Sequence, residues 1–439
     1  MELFELLNIF ELSETRFPET IFNWDTEDFN TFYEAINLVI NNSSSSNEKS
    51  GFKFMANNDF SGGGFTCSEL ECRSRNLDIL ARNSLLYADK VYLQNWFERH
   101  RPFEQIVDNN RFNLANSIGL LYQIKPLLTN GYFEFCANEH HFCTNCLNEL
   151  LSNGLHDFDH KSEDALKILN KKIQKNTEFV LKKNYDGNPA VFVSAPTSIL
   201  EHDMVLSFNY YVPDYLKKRY KPNKEVRLKK KEIKECGISN YFSRQIIDDL
   251  QNQSYYASLL NTRYLTSREV DFEILSKLNA KENKTRSNLI YNNLSHSVPQ
   301  INEVNYNDLI KLRKEEGESF EVYRDSLNKL LEDFNETEPD KIKQALSDVI
   351  KPELHKIEKK ISDSKKLLFK DLGKDVVVGS LFVGVSMFSG IIPPNLAEVV
   401  YSLGGIQYVN QLSSKISDNM KNMKEVKENE FYFLWKLKK

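Results

Sequence analysis

The chain has 439 residues, 41% apolar and 12% aromatic, which is too long for one ordinary core and too rich in packing residues for a disordered, highly charged polymer. Its 57 Lys and Arg against 62 Asp and Glu leave a net charge of −5, so overall charge gives no reason to bind nucleic acid or anionic lipid, and such binding has to be local. Its 6 cysteines are too few for a secreted disulfide framework, and Met1 to Phe10 carries Glu2 and Glu5 with no basic start, so a cytoplasmic, reducing setting is expected.

Phe29, Phe32, Tyr33, Ile36, Val39 and Ile40 recur at helical spacing, which predicts one or two short helices, followed by a polar linker at 41–50 (NNSSSSNEKS). Residues 1–50 therefore read as N-terminal helices and a linker. The run Ser61-Gly62-Gly63-Gly64 lacks the Lys-Ser/Thr ending of a phosphate-binding loop, and nothing strand-like precedes it, so it reads as a flexible turn. Leu70, Leu77, Leu80, Ala81 and Leu85 fit a helix and Val91-Tyr92-Leu93 a strand. The arrangement recurs with a helix over Leu114–Leu128, a turn at Asn130-Gly131 and a strand over Tyr132–Phe135. Further on, 161–184 predicts an amphipathic helix, 190–193 and 205–208 predict strands, and 246–278 predicts more helix. Residues 51–295 thus read as a mixed α/β body.

Two constellations in this body bear on chemistry. Cys136, His140, Cys143 and Cys146, with His141 among them, supply the ligand types of a zinc site, and Cys143-x-x-Cys146 has the spacing for two thiolates on one ion. The first pair lies so close upstream that a tetrahedron would be cramped. The plainer reading makes Cys136 the end of a buried strand and the other two cysteines small apolar residues. Lys217, Lys218, Arg219, Lys229, Lys230 and Lys231, with tyrosines interleaved, form a basic run of the kind that tracks phosphates in nucleic acid; a solvated face is the alternative.

Residues 296–439 read as a helical C-terminal domain. Val376–Ala397 has no charged residue until the Pro393-Pro394 stop and beyond, and with a return arm to 412 it predicts an apolar helical hairpin. Gly379, Phe382, Gly384 and Phe388 would carry its membrane or partner contacts, and Trp435 those of the aromatic tail over 431–437. The polar return arm favours a hairpin packed in the protein, with conditional membrane insertion as the other outcome.

The expected fold class is α+β, predominantly helical. No dinucleotide fingerprint, P-loop, nucleophile elbow or zinc-protease pattern is present, and no small molecule is indicated, which leans away from an enzyme. The layout resembles, in general plan only, bacterial abortive-infection effectors, an antiviral class in which a sensing body controls a concealed apolar segment. That analogy implies a non-enzymatic sensor or regulator. The alternatives are a scaffold that binds a protein partner or itself through the aromatic tail, and a metal-dependent nuclease whose carboxylates are hidden among the acids.

Overall fold

The computed structural model describes residues 2–43, 53–58, 61–63, 69–85, 88–98, 102–136, 162–183, 187–196, 199, 205–208, 212–221, 224–235, 237–260, 262–266, 268, 270–271, 273–275, 296–301, 306–323 and 376–384. It is a mixture of helices with one mainly parallel and one antiparallel sheet.

Three helices open the chain, α1 (Leu3–Ile9), α2 (Phe17–Asn23) and α3 (Thr26–Ser43). Asp25 caps α3, its Oδ1 accepting the N–H groups of Glu27 and Asp28 at 2.8 and 2.9 Å. The apolar face of α3 buries Phe29, Phe32, Ile36 and Ile40 in an aromatic cluster with Trp24, Phe97 and Phe103.

Next come β1 (Lys53–Ala56), α4 (Leu70–Ser84), β2 (Lys90–Leu93), α5 (Asp108–Gln123), α6 (Lys125–Thr129) and β3 (Phe133–Phe135). Gly131, at φ +72°, makes the turn into β3. After helix α7 (162–176) the chain forms β4 (Glu178–Lys183), β5 (Pro189–Ser194), β6 (Val205–Phe208), α8 (Asp214–Lys217), β7 (Val226–Arg227), α9 (Lys230–Glu235) and α10 (Ile238–Leu259), then returns to the first sheet as β8 (Arg263–Thr266). The sheet order is β3-β2-β1-β8, all parallel, extended by β10 (Val376–Gly384) and β9 (His296–Ile301), which join antiparallel. The other sheet, β6-β5-β4-β7, is antiparallel.

Side-chain alternation along the parallel strands divides the interior into two cores. Phe54, Ala56, Val91, Leu93, Phe133, Phe135 and Leu265 face α1 to α6. Met55, Tyr92 and Tyr264 face the opposite way, into a core shared with Cys136, α7, α10 and the antiparallel sheet. Both faces are covered, as buried parallel strands require.

The structure corrects several expectations. Residues 53–56 form a strand, so the glycine run does follow one. The helix over 161–184 stops at 176, and Phe179 and Leu181 alternate inward as part of β4. The helical reading of 246–278 is interrupted by β8. Val376–Gly384 is a strand between β8 and β9, and not the first arm of a helical hairpin, as its run of β-branched valines favours. The rest of the predicted hairpin lies outside the described residues. Among the described residues, no helix is long and apolar enough to cross a membrane.

Helix α11 (Tyr306–Glu315) packs on the first core through Leu309 and Ile310, as do Phe320 and Tyr323 beyond it. Arg313 fixes this junction: its Nη1 donates to the Leu85 and Ala88 carbonyls at 3.3 and 2.7 Å, while its guanidinium lies over the Phe320 and Tyr132 rings. The described residues of the C-terminal half thus share a core and a sheet with the body.

Candidate ligand-binding site

The strand order reverses between β1 and β8. The chain leaves β1 through α4 over one face and reaches β2, whereas it enters β8 from α10 on the opposite face. Loops that leave the carboxyl ends of two such strands diverge, which is why ligands in doubly wound sheets bind there. Here that edge holds Asn57 and Asn58 after β1, Gln94 and Asn95 after β2, and Thr266 with Arg268 at the end of β8.

A buried charged network fills the reversal point. Arg268 is completely buried and donates from Nε to Asp271 Oδ2 at 2.8 Å and from Nη2 to Asp249 Oδ2 at 2.5 Å. Asp271 Oδ2 also accepts the Tyr264 and Thr266 hydroxyls, each at 2.9 Å, and Thr266 Oγ1 in turn lies 3.3 Å from Asn57 Nδ2. Asp249 Oδ1 reaches the first loop, accepting the Asn58 N–H at 3.3 Å. Burial, reinforced by the Asp271 charge, pushes the Tyr264 phenol well above its ordinary pKa. Within this network Asp271 Oδ1 is buried without a hydrogen-bond partner among the described residues, an unmet acceptor at the reversal point.

The loop after β1 is held close. Ser61 donates its N–H to Asn57 O at 2.9 Å, and Gly63 its N–H to Asn58 O at 2.7 Å. Gly62 has φ +77° and a Cβ there would overlap the Leu77 side chain, while a Cβ on Gly63 would overlap the Asn58 side-chain oxygen. Only glycine fits either position. From α4, Arg73 donates through Nε to Gly62 O at 2.7 Å and through Nη2 to Ser117 Oγ at 3.3 Å. Trp96 completes the arrangement, with Nε1 donating to Ser61 O at 3.1 Å and its ring 5.8 Å from the Arg73 guanidinium.

Helix α10 supplies the far wall. Asp249 and Gln253, four residues apart, lie on one helical face, and Gln253 Nε2 donates to Gln94 Oε1 at 2.9 Å just past β2. Gln253 is fully buried, and its own Oε1 has no partner among the described residues. Burial, then the nearby Cys136 and Glu98, pushes the Tyr256 phenol above its ordinary pKa.

Of the residues singled out from sequence, Cys136 ends β3 and is buried. Burial pushes its thiol upward, away from the thiolate that zinc binding needs. His140, Cys143 and Cys146 lie outside the described residues, and the described residues hold no cluster of three or more metal-ligating side chains. Lys217, Lys218, Arg219, Lys229, Lys230 and Lys231 are all exposed on the stretch from α8 to α9. Carboxylates are interspersed among them: Lys217 pairs with Asp214 at 3.2 Å, Lys231 with Glu235 at 3.7 Å, and Arg219 with Glu232. Gly379, Phe382 and Gly384 lie in β10, while Phe388 and Trp435 fall outside the described residues.

No family model, no curated protein and no solved structure matches the chain. The site residues Asn58, Arg73, Asp249, Gln253, Arg268 and Asp271 were not apparent in the sequence. The available signal was Ser61-Gly62-Gly63, which becomes informative only once β1 is placed before it and α4 after it.

Proposed function

We propose that this chain is a regulatory protein whose α/β body binds a small polar molecule at the carboxyl edge of β1, β2 and β8 and whose C-terminal half responds to it. The observation that carries the reading is the reversal of strand order between β1 and β8, with a glycine loop on one side and buried, incompletely satisfied polar groups on the other. A purely structural network would be expected to satisfy its own acceptors, because each buried unmade hydrogen bond costs about 1–3 kcal/mol. The response has a physical route. Asn57 and Asn58 of the loop are tied to Thr266 and Asp249, and β8 pairs directly with β10, so a loop displaced by ligand strains the sheet into which the C-terminal half is built.

The test is a thermal-shift screen of the full chain against nucleotides, dinucleotides, sugar phosphates, nucleosides and amino acids, repeated on Gly63→Leu, which fills the loop. A ligand that stabilises the parent and not the variant supports the reading. Stabilisation of both alike, or of neither by any compound, overturns it.

A further inference from the structure

Arg73 is the one side chain at this edge whose charge is left unanswered among the described residues, and its surroundings specify what would answer it. Three arginines in the described residues are deeply buried, Arg73, Arg268 and Arg313, at 7%, 0% and 8% exposure. Arg268 is bracketed by Asp249 and Asp271, and Arg313 has Asp89 at 3.8 Å. Arg73 has a carbonyl, a hydroxyl and an aromatic ring, with the Tyr33 phenol near its charge and no carboxylate among the described residues. Burying a guanidinium without a counter-charge costs several kcal/mol, and desolvation lowers its pKa to about 10. It still carries its proton at neutral pH, so the burden of an unpaired cation stays.

The position of this cation is as informative as its charge. It stands in the first turn of α4, a 15-residue helix, directly beneath the loop that joins that helix to β1. Nε and Nη2 are occupied by Gly62 O and Ser117 Oγ, which fixes the plane of the guanidinium, and Trp96 stacks beside it while tying down Ser61. The partial positive charge of a helix N-terminus adds to the same field. Leu77 and Asn58 fill the space beside Gly62 and Gly63, and the Ser61 and Gly63 N–H groups are donated within the loop, so among the described residues the Gly62 N–H is the donor this loop has left for an oxyanion. Against this stand Glu69 and Glu71 at the start of α4, but both are exposed and screened by solvent.

We propose that Arg73, with the Gly62 N–H and the start of α4, forms the subsite for the phosphate of a phosphorylated small molecule. The proposal rests on the switch-point reading above and adds the ligand's chemical class. The phosphate supplies the missing counter-charge, and the remainder of the ligand lies along the edge toward Gln94 and Gln253, where an acceptor without a partner among the described residues suits a hydroxyl or amino donor.

The experiment is calorimetric titration of the full chain with pyrophosphate, AMP and adenosine. Pyrophosphate and AMP are expected to bind, AMP at least tenfold more tightly than adenosine, and Arg73→Gln is expected to weaken both anions at least tenfold, with partial recovery in Arg73→Lys. Hydrogen exchange of the parent chain with pyrophosphate reports the location without any variant that has to fold, and slowed exchange at 61–63 and 69–76 is expected. Binding of adenosine as tight as AMP, anion binding unchanged in Arg73→Gln, or exchange protection elsewhere overturns the phosphate subsite while leaving the switch-point reading to its own screen. No heat from either anion also overturns it, whether or not an uncharged compound binds in that screen.

Discussion

The backbone N–H of Asn58 donates to Asp249 across 191 positions of chain, at 3.3 Å, and so ties the loop leaving β1 to the helix that feeds β8. Asp249 gives its other oxygen to Arg268. One carboxylate therefore couples the two loops that diverge at the strand reversal. Replacing Arg268 by Met strands two buried carboxylates, and the expected loss is about 3–5 kcal/mol in urea unfolding. Replacing Asp249 by Asn keeps a hydrogen-bonding amide but removes a charge from Arg268, and a smaller loss is expected. Equal stability of the parent and Arg268→Met would show that the network is not intact in solution.

The glycine loop offers a test of local geometry. Gly63→Ala puts a methyl where the Asn58 side-chain oxygen sits, so the variant is expected to lose roughly 1–3 kcal/mol through overpacking. Asn58→Gly removes the side-chain part of the obstacle and leaves the Asn58 carbonyl oxygen 2.7 Å from the added methyl, so the double variant is expected to regain part of the loss. Additive losses in the unfolding midpoints would mean that the two positions do not meet.

Alkaline stability follows from the buried phenols. Tyr264 and Tyr323 are each completely buried, and desolvation raises both pKa values above that of an exposed tyrosine, about 10. The unfolded chain loses these protons near pH 10, while the folded chain keeps them. Their contribution is therefore intact below that pH and declines above it by about 1.4 kcal/mol per pH unit for each group, until the folded pKa is passed. Urea midpoints at pH 9, 10 and 11 check this, and Tyr323→Phe is expected to lower the slope by one group's share. A slope that the variant leaves unchanged would remove Tyr323 from the account.

Legibility in the sequence tracked element length and locality. Helices α3, α4 and α5 and strands β2, β3 and β5 carry enough periodic apolar residues to be read directly. Strands β1 and β8 do not. Each has 4 residues, β1 following a polar linker and β8 a 22-residue helix whose apolar period runs up to it. Missing those two strands concealed the site, because the reversal exists only when β1 and β8 are neighbours. Asp249, Arg268 and Asp271 look like ordinary surface charges until the topology brings them to Asn57 and Asn58. The valines at 376–378 satisfied a helical pattern as well as a strand, and charge-free length alone does not separate the two.

The buried position of Cys136 makes the zinc expectation testable by ligand. A thiol at 1% exposure whose pKa is raised by burial does not supply a ready thiolate. Cys136→Ala is therefore expected to leave the metal content of the purified chain unchanged by elemental analysis, and native Cys136 to resist alkylation that reaches the less buried Cys72. Loss of one zinc per chain in Cys136→Ala would restore the four-residue site with His140, Cys143 and Cys146.

Strand β10 separates a core role from a membrane role for the apolar segment. Val377 pairs with Gln300 of β9, and Val383 pairs both with His296 of β9 and with Leu265 of β8, so β10 is an interior strand with a neighbour on each side. Removing 376–384 would cut β9 from the sheet and leave the backbone of β8 unpaired on one side, beside the Arg268 network. An exposed strand edge of that kind invites association. The deletion is therefore expected to lower the melting temperature and to produce aggregates in sedimentation, with faster hydrogen exchange at 263–266 as its local signature. A segment held in reserve for a bilayer gives the opposite result. The deleted chain would then keep its stability and exchange pattern, and would lose only its partition into vesicles. Because exchange at β8 responds to lost pairing and not to lost lipid affinity, that measurement alone distinguishes the two roles.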